Sequence, residues 1–487
     1  MKVFLGNAPW AKKGFKGVRA GSRWPHFEHC ASPYMPFPFF LSYAAALLKK
    51  NGVEVLLVDA IAEGMDEEAY FTKIASFMPD LVMHEVSTAS IVTDLRQGKK
   101  VKELLPAAKL AFCGAHDAMF DPAFLDQHPF LDFSIEGEYE FTVLELAQNL
   151  AGPKEGILGL VYRGADGAPR KNGRRPLAKL DDLPWPAREF LPMMNYWDNP
   201  GGIPSPSLQV HASRGCPFTC AFCSWPQVMY GGNKYRARDP KDVVREIVHC
   251  RDTYGFKSFY FDDDTFNIGK KRILALCDEM IRENLGLPWA AMARADTADA
   301  EMLAKMKEAG LVSIKYGVES GEQKILDDCG KRLDLAVARE TVRETKRLGI
   351  KCHLTFTFGL PGETKETIRK TMALAEELDP DTVQFSIATP YPGSRLYRQL
   401  SEKGHIVSAD FSEYDGGNRA VIRTDALEPR DLEEALRVAT TLWHRKRFVS
   451  RVWANRGHFM KEFAKHPIAS LRAVGGIFLP SPSRGAK

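Results

Sequence analysis

The chain predicts two α/β domains in tandem: an N-terminal doubly wound parallel sheet, then a partial (β/α)6 barrel, with a helical C-terminal region behind them. Three observations predict this. Short apolar runs alternate with amphipathic segments over 1–150, and a second such series covers 205–400. A stretch punctuated by proline and glycine, 151–204, separates the two. The length of 487 residues, 45% hydrophobic and 26% charged, accommodates two or three ordinary globular domains.

In the first series the apolar runs Lys2–Gly6, Val53–Val58, Asp80–His84, Lys109–Cys113 and Asp132–Ile135 read as strands. The amphipathic segments Phe39–Lys50, Glu67–Phe77, Thr88–Leu104 and Glu140–Leu150 read as helices. A ligand of such a sheet sits beyond the carboxyl ends of the strands. The connector carries one strand, Gly159–Arg163, and then extended chain. In the second series strands are expected at Gln209–Ala212, Lys257–Phe261, Trp289–Ala293, Val312–Gly317, Lys351–Phe358 and Thr382–Ala388. Helices are expected at Pro240–Tyr254, Lys270–Asn284, Ala300–Ala309, Leu335–Leu348 and Glu363–Leu378. Six such units form three quarters of an eight-unit barrel, with its site at the C-terminal strand ends. Residues 401–487 read as helices at Pro429–Phe448 and Arg451–Lys465, followed by a basic tail.

The net charge of +4 makes no case for a nucleic-acid partner. Nine cysteines, with no signal-peptide pattern at the start, point to a reducing cytoplasm rather than a disulfide framework. Six of them (Cys30, Cys113, Cys250, Cys277, Cys329, Cys352) have no ligand spacing. No apolar run is long enough for a transmembrane helix, and Ile468–Leu479, flanked by basic residues, is compatible with peripheral membrane contact.

The other three cysteines, Cys216, Cys220 and Cys223, fall within eight residues as C-x-x-x-C-x-x-C. A protein-held 4Fe–4S cluster usually takes four thiolates, so three leave one iron open to a reactant. The remaining strands of the series also end in polar or glycine-rich clusters. These are Asp262-Asp-Asp-Thr-Phe266, Arg294-Ala-Asp296, Gly317-Val-Glu-Ser-Gly321, Gly359-Leu-Pro-Gly-Glu363 and Thr389-Pro-Tyr-Pro-Gly-Ser394. Plainer readings exist for several of these. The cysteines and His211 fit a Cys3His zinc site, Asp262–Asp264 fit a solvated turn with Asp264 capping the next helix, Arg294 fits an ion pair, and Pro361 and Pro392 fit simple turns.

Together these motifs resemble the radical S-adenosylmethionine (SAM) superfamily over about 205–395. The resemblance implies that Cys216, Cys220 and Cys223 hold a 4Fe–4S cluster whose open iron chelates SAM, which one electron cleaves to a 5′-deoxyadenosyl radical. It implies that Phe222 meets the adenine through its backbone, that Glu319 and Ser320 reach the ribose or amino acid part, that Asp264 and its neighbours accept from the ammonium, and that Arg294 serves the carboxylate. Residues 1–150 are similar, more softly, to the cobalamin-binding domain of one branch of that superfamily. The similarity rests on Pro36–Asp59, Gly114-Ala-His116 and Glu136-Gly-Glu-Tyr-Glu140. The histidine motif that ligates cobalt in many cobalamin proteins is absent, and the loop after the first strand is Asn7-Ala-Pro-Trp10. By position Ser87, Thr88 and Gly114 line the cobalamin nucleotide pocket; His116 fits there or as a hydrogen-bonded loop histidine. A doubly wound domain that binds another ligand, or none, fits the same pattern.

The implied function is methyl transfer to an unactivated carbon of a small-molecule or lipid-like substrate, with SAM, cobalamin and an electron donor such as flavodoxin or ferredoxin. The same cofactors also serve cyclisation, ring contraction or oxygenation. A methylthiotransferase needs three N-terminal cysteines for a second cluster, and only Cys30 and Cys113 precede the barrel. A non-enzymatic cofactor carrier leaves the barrel rim without a purpose. Segment 17–36, with Arg19, Arg23, Trp24, His26 and His29, is expected to cover the space between the domains as a lid, or else to be a surface loop.

Overall fold

The computed structural model describes residues 1–415 and 419–454. The chain starts with β1 (Lys2–Asn7), followed by a small ribbon that the sequence did not predict: β2 (Ala11–Lys12), β3 (Phe15–Val18) and β4 (His26–His29), paired antiparallel. Then come α1 (Phe39–Lys50), β5 (Glu54–Asp59), α2 (Glu67–Phe77), β6 (Leu81–Ser87), α3 (Ile91–Leu104), β7 (Lys109–Ala115), α4 (Pro122–Gln127), β8 (Phe133–Ile135) and α5 (Glu140–Gln148). Residues 151–204 are more than a connector. They add β9 (Leu160–Arg163) and β10 (Pro169–Lys171) antiparallel to the edge of the same sheet, whose order is β10-β9-β8-β7-β6-β1-β5. The five strands β5, β1, β6, β7 and β8 are parallel, as the strand–helix alternation requires. All seven residues of β6 are buried, as in a strand covered on both faces.

The second sheet is entirely parallel, in the order β11-β14-β15-β16-β17-β18. Its chain order runs β11 (Ser207–Val210), β12 (Ser213–Gly215), α6 (Ser224–Val228), β13 (Tyr235–Ala237), α7 (Pro240–Tyr254), β14 (Ser258–Phe261), α8 (Lys270–Arg282), β15 (Trp289–Ala293), α9 (Ala300–Glu308), β16 (Leu311–Glu319), α10 (Gln323–Asp328), α11 (Leu335–Arg347), β17 (Lys351–Phe358), α12 (Lys365–Leu378) and β18 (Thr382–Ile387). Helix starts follow side-chain capping: Asp239 accepts from Lys241 and Asp242 N–H with Pro240 in the first turn, Asp299 accepts from Met302, and Thr364 and Thr367 cap α12 reciprocally. After α13 (Arg395–Glu402), α14 (Pro429–Ala454) runs on through the break expected after Phe448. Most of the expected helix Arg451–Lys465, the basic tail and Ile468–Leu479 lie outside the described residues.

One hydrophobic core runs through both domains, from Val3 and Leu5 through the α1 residues Phe39–Leu48 to Leu208 and Phe259 of the barrel. Polar groups at that junction are paired. Arg214, fully buried, sits 4.3 Å from the Phe40 ring centroid and binds Glu140 at 2.7 Å and Glu138 at 3.2 Å. The rims of the two sheets are therefore fixed against each other two residues before the first clustered cysteine.

Candidate active site

The cysteine loop joins β12 to α6 and is clamped from four sides. Ala221 N–H donates to the Cys329 carbonyl at 2.7 Å, and Ala221 O accepts from Leu396 N–H at 3.0 Å. The Gln227 amide donates to the Cys223 carbonyl at 2.7 Å and its oxygen accepts from Arg395 N–H at 2.8 Å. Arg395 also donates to Thr219 O at 3.0 Å. Gly215 has φ +88°, and a Cβ there would stand 1.9 Å from the Lys234 carbonyl, so the entry to the loop needs glycine. Cys216, Cys220 and Cys223 are all unpaired and half-buried. Burial, then the charge of the neighbouring thiols, pushes the Cys223 thiol well up, and burial raises Cys216. Three thiolates at this place would need a compensating cation.

The zinc alternative does not fit. The His211 ring stacks on Phe39 at 3.6 Å, and among the described residues no three His, Cys, Asp or Glu side chains converge on one ion position. A cluster asks each thiolate to meet a different iron and so does not require that convergence.

Around this loop the strand-end groups gather as the sequence predicted, but many are already paired. Asp264 caps no helix; α8 begins after Gly269. Its carboxylate accepts from Gly215 N–H at 2.8 Å, Tyr230 OH at 2.9 Å and Arg23 Nε at 2.7 Å. Asp262 takes Arg23 Nη1 at 2.9 Å, and Asp263 takes Ala212 N–H and the Ser213 hydroxyl. Thr265 Oγ1 lies 3.2 Å from Cys216 Sγ. Arg294 forms the ion pair of the plainer reading, to Asp296 at 2.6 Å, and its guanidinium also covers Phe218 of the cysteine loop at 3.7 Å. Glu319 sits in the left-handed region (φ +73°) at an irregularity between β16 and β17, with Lys331 Nζ at 3.2 Å and the Thr357 hydroxyl at 2.8 Å on its two oxygens. Ser320 is turned outward to Glu322 N–H and Thr371. Phe222 is half-buried, its ring 6.0 Å from Lys331 Nζ. Sequence reasoning missed Lys331 and the structural roles of Gln227 and Arg214. Lys331 stands in a loop without a motif, and Gln227 and Arg214 act on their neighbours' backbone or on the other domain.

The first sheet presents its strand ends to the same space. Ser87 Oγ bonds Ser90 Oγ at 2.8 Å, and Thr88 Oγ1 meets His116 Nδ1 at 3.2 Å. Burial lowers His116 to about 4, and Phe124 and Phe411 pack on its ring. Gly114 (φ +112°) brings β7 so close to β6 that a Cβ would stand 2.3 Å from Val86 O. At the β1/β6 crevice, where the strand order reverses, Arg19 donates to Asn7 Oδ1 (2.8 Å), Ala8 O (2.7 Å), Ser90 Oγ (3.0 Å) and the Asp94 carboxylate. Segment 17–36 is therefore a strap, with Arg19 in one rim and Arg23 in the other. Beneath it a cavity is lined by Glu85 and Ser87 of the first sheet, by Ser224 and Trp225 next to Cys223, and by Tyr391.

The family model described as "Radical SAM superfamily" matches residues 210–375, from β11 into α12. An uncharacterized methyltransferase of Pyrococcus horikoshii is 31% identical over 380 residues, 77% of this chain and 81% of that protein. The chain belongs to the radical SAM superfamily. It is a radical SAM enzyme, whose cofactors are a 4Fe–4S cluster and SAM. An anaerobic magnesium-protoporphyrin IX monomethyl ester cyclase of Rubrivivax gelatinosus is 28% identical over 411 residues, 81% of this chain and 71% of that protein. In three dimensions the chain shares its fold with the cobalamin-dependent SAM radical enzyme OxsB, solved with aqua-cobalamin and SAM. The TM-score is 0.69 at 15% identity, covering 98% of this chain and 70% of that one. No helix among the described residues is long and apolar enough to cross a membrane.

Proposed function

We propose that this radical SAM enzyme binds cobalamin in its first domain and transfers a methyl group to a carbon of its substrate. The observation that carries the reading is that the strand-end rims of the two sheets face each other across a narrow gap beneath the strap, with room for about one water. One wall is the strand-end rim of the first sheet (Glu85, Ser87), where a doubly wound domain takes its ligand, and the opposite wall is α6 (Ser224, Trp225), next to the last cysteine. When bound, the cluster and SAM supply a 5′-deoxyadenosyl radical and cobalamin supplies the methyl group.

The chain's own residues do the rest. Cys216, Cys220 and Cys223 hold three irons, while Gln227, Arg395 and Asp264 fix the loop that carries them. Lys331 and Glu319 offer a paired cation and anion at the end of β16 to the polar part of SAM. Gly359 and Gly362, both at positive φ, keep the loop after β17 open to close approach by the adenine, and Glu363 holds that loop by accepting from Gly359 N–H. Trp225 and Tyr391 line the narrow gap between the two rims. The electron comes from an external carrier of flavodoxin or ferredoxin type.

The name of the Pyrococcus relative favours methyl transfer; that of the Rubrivivax relative favours ring closure. The test is anaerobic reconstitution with iron, sulfide and hydroxocobalamin, measuring iron, retained cobalamin and 5′-deoxyadenosine together. The wild type should hold all three, and a protein with Cys216, Cys220 and Cys223 changed to alanine should lose iron and SAM cleavage. Failure to retain cobalamin in the wild type would remove the first-domain assignment.

A further inference from the structure

Inside the barrel, one register row runs Met292, Lys315, His353, Thr382 across β15 to β18. Their sequence neighbours Ile314, Tyr316, Cys352 and Leu354 belong to the core under the helices, so strand alternation turns the row to the lumen. Two groups in that row are unspent. Lys315 has no hydrogen bond or ion pair among the described residues, although acids are nearby. His353 takes Thr382 Oγ1 on Nδ1 at 2.7 Å, while its Nε2 is buried without a partner. Burial, and then the charge of Lys315, lowers this imidazole to about 3, so it is neutral at physiological pH.

The lumen around them is polar, and Lys315, His353 and Asp198 are each only partly buried. At its floor Ile203 packs on Tyr260 and Ala290, and Gly201 sits so tightly on Ser313 that a Cβ would fall 2.0 Å from its hydroxyl. On the open side the strap and the connector meet in the Met35–Trp197 bridge, which brings Tyr34 and Asp198 alongside. The Asp198 carboxyl is raised to about 7 by burial, and among the charges acting on it Lys315 ranks first. It has no hydrogen-bond partner among the described residues. Toward the mouth the inward side chains remain polar, with Thr357 bonded to Glu319 and facing Ser386. An apolar or lipid-like occupant would strip water from Lys315, His353 and Asp198 and return no partner, a costly arrangement.

We infer that this lumen is the substrate chamber and that Lys315, with His353 Nε2 beside it, receives the anionic group (carboxylate, phosphate or phosphonate) of a small polar substrate. Asp198 then faces a hydroxyl or ammonium of the same molecule. The Thr382 hydroxyl can donate or accept at Nδ1; with an anion at Nε2 the neutral imidazole carries its proton there and accepts from Thr382 on Nδ1. The inference rests on the radical SAM reading of the site above it. The one other source of the same chemistry is the carboxylate of SAM itself, and the experiment separates the two.

The probe is methylphosphonate, titrated into the reconstituted holoenzyme and followed by ³¹P line width, with SAM affinity and 5′-deoxyadenosine formation measured on the same samples. Wild type should bind the probe saturably. Lys315→Met should weaken it at least about tenfold, about 1.4 kcal/mol, and Lys315→Arg should keep most of it. SAM affinity and SAM cleavage should stay within about twofold of wild type, with iron content intact as the check on folding. The proposal is overturned by no saturable binding to wild type, by equal binding to Lys315→Met (an anion held elsewhere), or by a Lys315→Met protein whose loss falls on SAM. A wild type that assembles no cluster and cleaves no SAM would instead sink the functional reading, an outcome distinguishable from a competent enzyme that ignores the probe.

Discussion

The rim of the first sheet and the rim of the barrel are built to the same plan and finished differently. Each ends in buried carboxylates, and each receives one arginine from the strap: Arg19 on Asp94, Arg23 on Asp262 and Asp264. On the barrel side the carboxylates also fasten the cysteine loop, through Gly215 N–H on Asp264, and the thiols beside them are left free. On the first sheet the polar groups close on one another, Ser87 on Ser90, Thr88 on His116, Arg19 on Asp94, under the apolar cover of Phe411. One rim exposes ligands for a covalently held cofactor. The other is a shaped surface with many of its hydrogen bonds already made, leaving the Glu85 carboxyl as a polar group in the gap. The strap makes the two rims depend on each other, because residues 19–23 span the cavity between them.

The most damaging way to test this dependence is to remove the strap's deeper arginine. The Arg19 and Asp94 side chains are 1% and 0% exposed, so Arg19→Met leaves a buried carboxylate unpaired. A loss of about 3–5 kcal/mol is expected, read as a lower urea midpoint, together with faster proteolysis of 11–36. Arg19→Met/Asp94→Asn should recover part of it. If Arg19→Met alone is as stable as wild type, the strap does not join the rims.

A smaller effect is expected from Gly114→Ala, which acts on the first rim alone. The residue would be forced to keep φ +112° with its Cβ 2.3 Å from Val86 O. A cost of about 1–3 kcal/mol from the backbone conformation should come with weaker retention of cobalamin and unchanged iron content. Equal loss of both cofactors would mean that the rims are not separable in this way.

The same difference explains what was legible in the sequence. Cys216, Cys220 and Cys223 were readable because a ligand set of this kind is a local pattern, one residue type at a fixed spacing. The six strands of the barrel were readable from the same alternation as the first series, and the motifs at their ends then pointed to a family. The plan of the first sheet was readable from alternation, and β9 matches the strand expected at Gly159–Arg163, but β10 and the antiparallel pairing of both to the sheet edge were not, since edge strands carry no crossover helix to announce them. Asp264 was expected to face SAM or cap a helix; it caps none, and it ties Arg23 to the cysteine loop. That tie joins residues 241 positions apart, beyond any local pattern. Arg214 escaped notice for the same reason, its partners Glu138 and Glu140 lying in the other domain. Lys315 and His353 stood in a predicted strand, but only the strand register shows that both face the lumen.

The finest comparison is of pH. Glu85, at the end of β6, lies in the cavity wall with Tyr139 OH on its carboxyl at 2.5 Å, and burial raises it from 4.5 to about 7. Because the folded value lies above the unfolded one, the folded chain holds this proton more tightly. The contribution to stability is complete below pH 4.5 and is lost as pH rises through about 7. Glu85→Gln should therefore flatten the stability profile between those limits by at most about 1.4 kcal/mol per pH unit, leaving Arg23 and the cysteine loop untouched. Urea midpoints of both proteins at pH 5, 6, 7 and 8, roughly one unit apart to sample that slope, would show the curves converging at the acid end and separating above it. Parallel curves would mean that Glu85 is already ionised in the folded chain and that the first rim presents a charge, rather than a neutral acid, to whatever fills the cavity.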